Sequence, residues 1–98
     1  MPKLIFHTEV SIEIKAAYEW YENQAKGLGE DFLTELEHSF GYITQQPDTW
    51  PPFGESTRRF LLNKFPYSVI YSASENTIQV LAVMHNRKKP GYWESKDD

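Results

Sequence analysis

The residues Tyr67-Ser68-Val69-Ile70-Tyr71-Ser72-Ala73, then Ser74-Glu75-Asn76, then Thr77-Ile78-Gln79-Val80-Leu81-Ala82-Val83-Met84-His85 decide the fold. In the first run Tyr67, Val69, Tyr71 and Ala73 alternate with Ser68, Ile70 and Ser72, the period-2 pattern of a strand. Asn76 tolerates a positive φ and suits the turn that follows. Val80 to Met84 is the longest apolar run in the chain. A strand so apolar is expected to be central and buried. Upstream, Pro66 lacks an N–H and belongs at a strand start, and Arg59-Phe60-Leu61-Leu62 reads as the preceding strand. Three consecutive strands make a meander.

Moving outward, Asp48-Thr49-Trp50-Pro51-Pro52-Phe53-Gly54-Glu55 is a Pro/Gly-containing loop. Before it, Phe32, Leu33, Leu36, Phe40 and Ile43 give the apolar stripe of a helix that starts near Glu30 and Asp31 and ends before Pro47. Val10, Ile14, Ala17, Tyr18, Tyr21 and Ala25 form a similar stripe, with Thr8 or Ser11 available as a cap. Glu13, Glu19, Glu22 and Lys26 are expected on its wet side. Gly27-Leu28-Gly29 separates the two helices, and Gly27 suits a left-handed C-terminal cap. Lys3 to His7 reads as a short first strand. The order β-α-α-β-β-β predicts an α+β fold, a helical hairpin packed on a small, mostly antiparallel sheet.

Ninety-eight residues are expected to make one domain, 1–98. There is no cysteine, which removes disulfides, thiolate metal sites and cysteine nucleophiles. No apolar run approaches the ~20 residues of a membrane span, and the N-terminus lacks a signal-peptide pattern. The expectation is a cytoplasmic protein with no membrane association. His7, His38 and His85 are scattered without metal-ligand spacing, and no Gly-rich phosphate loop or Gly-x-Ser-x-Gly elbow occurs. Neither a metal nor another cofactor is expected.

The net charge of −4 is unevenly spread. Residues 1–57 hold 10 acidic and 3 basic side chains, whereas residues 58–96 hold 2 acidic and 7 basic. The densest cationic and aromatic cluster is His85-Asn86-Arg87-Lys88-Lys89-Pro90-Gly91-Tyr92-Trp93, just beyond the most apolar strand. Such a mixture suits phosphate and base contacts, or an acidic protein partner. The expected target-facing residues are Arg58, Arg59, Lys64, Asn86, Arg87, Lys88, Lys89 and Trp93. Arg58 and Arg59 can equally form salt bridges to helix carboxylates around Glu35 or Glu37, and Trp93 can equally anchor the core. Of fifteen aromatic residues (three Trp, six Tyr, six Phe), some should stay outside so small a core. Trp50 and Phe53 are the candidates, and would mark an interface.

The chain resembles the RelE/ParE family of toxins from bacterial type II toxin–antitoxin systems. The resemblance rests on Trp20-Tyr21-Glu22, Gly27-Leu28-Gly29-Glu30-Asp31-Phe32, Pro47, Arg58-Arg59-Phe60-Leu61-Leu62, Phe65-Pro66-Tyr67-Ser68-Val69-Ile70-Tyr71 and Leu81 through Trp93, all in the family's order. It implies a cognate antitoxin as partner, an oligomer with it, and one of two cellular targets. ParE-like members bind and inhibit DNA gyrase. RelE-like members are metal-independent endoribonucleases that cut messenger RNA on the ribosome. For the second activity the resemblance points to His85, Arg87 and Tyr92 as the catalytic set. The ribonucleases commonly carry an arginine where this chain has Ser68. With that position changed and the chain acidic overall, the ParE-like reading is the first expectation and the RelE-like one the alternative.

Overall fold

The computed structural model of the protein describes residues 2–93. Its elements are β1 (Lys3–Phe6), α1 (Val10–Gln24), α2 (Leu28–Gln45), β2 (Arg58–Leu61), β3 (Tyr67–Ala73) and β4 (Thr77–His85). The four strands form one mixed sheet in the order β1-β4-β3-β2. β2, β3 and β4 make the antiparallel meander, and β1 pairs parallel to β4 at the far edge. The apolar strand β4 is therefore flanked on both sides, as its composition demands.

Several boundaries differ from the sequence reading. α2 begins at Leu28, two residues before the acidic pair. β2 begins at Arg58 and ends at Leu61. α1 is preceded by Glu9, and neither Thr8 nor Ser11 supplies a side-chain cap. Instead the Ser11 hydroxyl donates to the Thr8 carbonyl at 3.2 Å.

The joint between the helices is built by glycine and one carboxylate. Gly27 has φ +88°, the left-handed region that costs a glycine little. Glu22 turns out of solvent and accepts from the N–H groups of Gly27 and Gly29, each at 3.0 Å. It thereby partners donors at the start of α2 that have no helical acceptor. Gly29 packs directly against α1, and a Cβ there would meet the Tyr18 carbonyl oxygen at 2.7 Å. Backbone cannot yield as a side-chain tip can. Gly29→Ala is therefore expected to cost about 1–3 kcal/mol through overpacking. Urea denaturation checks this; a midpoint equal to wild type would mean that the helices can separate freely.

One face of the sheet packs under the hairpin. Val10, Ala17, Phe32, Leu36 and Ile43 from the helices meet Val69, Tyr71, Ile78, Val80 and Val83 from the strands. Tyr21, Phe32, Phe65 and Tyr67 add a cluster of rings with centroids 4.8–6.0 Å apart. Each fully buried aliphatic side chain of this kind contributes roughly 1.5–3 kcal/mol. The Tyr71 hydroxyl satisfies itself on the Pro47 carbonyl at 2.5 Å, tying β3 to the chain leaving α2.

The opposite face is also covered. Ile70, Leu81, Ala82, Met84 and Trp93 form a second buried cluster, with Phe53 and Tyr92 packed against it. The covering material is the Pro-rich loop and the chain beyond β4. A register shift makes this layer possible: Ile70 pairs with Ala82 but Tyr71 pairs with Val80, leaving Leu81 as an extra residue. Such a bulge breaks strict alternation. It sends Leu81 and Ala82 to this second face while Val80 and Val83 both stay under the helices.

Trp50 and Phe53, expected outside, are instead half-buried, Trp50 against Phe60 at 5.0 Å and Phe53 stacked on Trp93 at 5.9 Å. The loop must close over the sheet, and these rings do so. The exposed large hydrophobic residues lie elsewhere, with Ile12 at 67%, Trp20 at 61%, Tyr42 at 55% and Leu61 at 52%. Among the described residues no helix is long and apolar enough to cross a membrane, and no group of three or more His, Asp or Glu could hold a metal ion.

Candidate functional site

The chain leaves β4 at His85 and turns at once. Asn86 N–H donates to the Pro66 carbonyl at 2.8 Å, and Lys88 N–H donates to the His85 carbonyl at 3.0 Å. These bonds fix a tight turn that leaves Asn86, Arg87, Lys88 and Lys89 exposed. The turn stands on a rigid base, because Val80 through Met84 are at most 3% exposed. Glu94, Lys96, Asp97 and Asp98, which entered the charge balance, lie outside the described residues.

His85 is only partly exposed and its ring sits edge-on to Tyr67 at 5.3 Å. Its Nδ1 accepts from the Arg87 N–H at 3.0 Å. In the neutral ring the proton then resides on Nε2, which makes that nitrogen a donor rather than a proton acceptor. The Tyr92 hydroxyl donates to Glu13, and the Lys88 ammonium lies 3.8 Å from the centroid of the same ring. Burial, with the Glu13 carboxylate second, pushes the Tyr92 phenol far above its ordinary value near 10. Tyr92 thus holds its proton rather than releasing it. Ser68 is fully buried on the second face, and its hydroxyl donates to Asn86 Oδ1. Asn86 therefore turns its side chain inward although the residue is exposed.

The other expected positions separate. Arg58 and Arg59 point to opposite faces, since Arg58 pairs with Tyr71 and Arg59 with Ile70. Arg58 donates to the Trp50 carbonyl at 2.6 Å and the Asp48 carbonyl at 3.3 Å, so it pins the loop. Arg59 lies over the Phe53 ring at 4.6 Å and reaches the C-terminal segment through it, since Phe53 stacks on Trp93. Glu35, read as a salt-bridge partner for these arginines, instead accepts from the backbone N–H groups of Asn63 and Lys64. Lys64 itself is exposed on that connection, at the end of the sheet where β4 ends. Trp93 is 3% exposed and serves as a packing anchor.

Beside this turn, the residue that sequence reasoning misplaced is Glu13. Helical periodicity assigned it to the wet side of α1. In the structure its carboxylate accepts from the Val83 N–H at 3.0 Å and from the Tyr92 hydroxyl, residues 70 and 79 positions away. No local signal marks such a contact.

Two helices on a four-stranded mixed sheet, in the order β-α-α-β-β-β, make the ParE toxin fold. A chain of the chromosomal ParDE TA system from P. aeruginosa superposes on it with a TM-score of 0.65. That match covers 87% of this chain and 96% of the other at 16% sequence identity. The family described as ParE toxin of type II toxin-antitoxin system, parDE, matches residues 4–90. The search of curated proteins returned no match. The chain belongs to the ParE toxin family of type II toxin–antitoxin systems.

Proposed function

We propose that the protein is a growth-inhibiting toxin that acts by binding DNA gyrase, and that a cognate antitoxin neutralises it. The observation that carries this reading is the state of Tyr92, whose hydroxyl keeps its proton and donates it in a hydrogen bond to Glu13. Metal-free RNA cleavage needs a base for the 2′-hydroxyl and an acid for the leaving oxygen. Tyr92 is poorly suited to either role, and His85 offers a donor where a base is required. Ser68 is buried beneath Asn86, so the strand position that carries an arginine in the ribonucleases supplies no cation here. What the turn does offer is exposed positive charge on a rigid base, which suits a binding surface. The antitoxin fits the same surface by charge, since an acidic segment would neutralise the basic half of the chain.

The test is to incubate the purified chain with gyrase in a DNA supercoiling assay, and separately with translating ribosomes and messenger RNA. Inhibited supercoiling without message cleavage is expected. In cells, Arg87→Ala should relieve toxicity while His85→Ala should not. Cleaved messages that disappear in the His85→Ala variant would overturn the reading in favour of the ribonuclease.

A further inference from the structure

β1 covers only the first half of β4. Its strand pairing runs to Phe6 opposite Val80, and the His7 N–H donates to the Val80 carbonyl at 3.0 Å. Beyond that point the bulge at Leu81 turns the Val83 N–H toward the open side. A buried strand donor left there would have no strand partner. α1 crosses this gap, and one oxygen of Glu13 takes the Val83 N–H. Its other oxygen takes the Tyr92 hydroxyl, and the Tyr92 ring lies under the Lys88 ammonium.

We propose that Glu13 is a positioning residue for the basic turn: through Tyr92 it sets where Lys88 and its neighbours stand relative to the sheet. The contacts form one chain, from the backbone of β4 through a helix carboxylate and a phenol to an exposed cation. Only a carboxylate fits the middle of it, because both incoming groups are donors. A glutamine offers one acceptor oxygen and sets its own NH₂ against the second donor. The functional weight of this arrangement rests on the reading that the basic turn faces the target; the geometry itself does not.

The test uses Glu13→Gln, Tyr92→Phe and the double variant in the full chain. In the wild type the Lys88 ε-methylene protons should show an upfield shift in the NMR spectrum from the Tyr92 ring. Tyr92→Phe keeps a ring at position 92 but cuts its tie to Glu13. The shift should collapse toward the free-lysine value in both single variants, and no further in the double, because they break one chain. Hydrogen exchange at Val83 should rise roughly 10- to 100-fold in Glu13→Gln, as the loss of a charge-assisted bond implies. It should stay at the wild-type rate in Tyr92→Phe. A merely structural role would leave the Lys88 shift in place in Tyr92→Phe. Persistence of the shift in that variant overturns the proposal, even if Glu13→Gln does not fold. If the shift collapses while toxicity stays complete, the positioning stands and the target-facing role of the turn is what fails.

Discussion

Trp93→Ala is expected to cost about 3–5 kcal/mol of folding stability, the range for emptying a buried aromatic site. Trp93 is 3% exposed, stacks on Phe53 at an interplanar angle of 30°, and meets Tyr92 edge-on at 5.6 Å. It lies over Ile70, Leu81, Ala82 and Met84, which without it would face water or a void. The loss is large against the roughly 5–15 kcal/mol that holds an ordinary domain. It should appear as a lower urea midpoint. The control is Trp20→Ala: Trp20 is 61% exposed on α1, and a surface change there should stay within about 0.5 kcal/mol. Equal effects at the two tryptophans would mean that the second face is not held as described. If Trp93→Ala also weakens toxicity, the toxicity should return at lower temperature, where the folded fraction recovers.

The triple variant Arg87→Ala, Lys88→Ala, Lys89→Ala should do the reverse, abolishing growth inhibition while leaving the fold nearly intact. All three residues are exposed, and the turn that carries them is closed by backbone bonds that alanine keeps. Removing three cations changes the net charge from −4 to −7. A cationic patch raises the association rate of an oppositely charged partner by about 10- to 1,000-fold, an effect that salt screens. Target binding by the wild type should therefore weaken as salt rises, and the variant should have lost most of that dependence. Surface plasmon resonance across a salt series measures both. Undiminished toxicity in the triple variant would place the target-binding surface elsewhere on the molecule.

Much of the architecture was legible in the sequence because it rests on local rules. The alternation from Tyr67 to Ala73 marked a strand and the stripes of the two helices marked their buried sides, although both faces of β3 are covered in the fold. The apolar run Val80 to Met84 marked a strand that the sheet flanks on both sides. Gly27 announced the break between the helices through its backbone freedom alone. The exposed turn at 86–89 was legible as well, since charge and turn residues follow directly on that strand.

What the sequence determined by itself was therefore the set of elements, their order and the place where positive charge gathers. The tertiary structure alone decided which polar groups were spent on holding the fold. A continuous apolar run cannot reveal where alternation breaks, so the bulge at Leu81 and the burial of the sheet's second face were invisible. Helical periodicity says only that Glu13 and Glu22 lie off the apolar stripe. It cannot say that Glu22 faces the joint with α2, or that Glu13 faces the half of β4 that short β1 leaves unpaired. Arg58, Asn86 and Tyr92 looked like recognition groups by type, yet Arg58 holds the loop that precedes its strand, and Asn86 and Tyr92 meet partners brought to them by the fold. The physical reason is common to all of them. A buried donor or acceptor must be satisfied, and which side chain satisfies it depends on where the fold leaves backbone groups without partners.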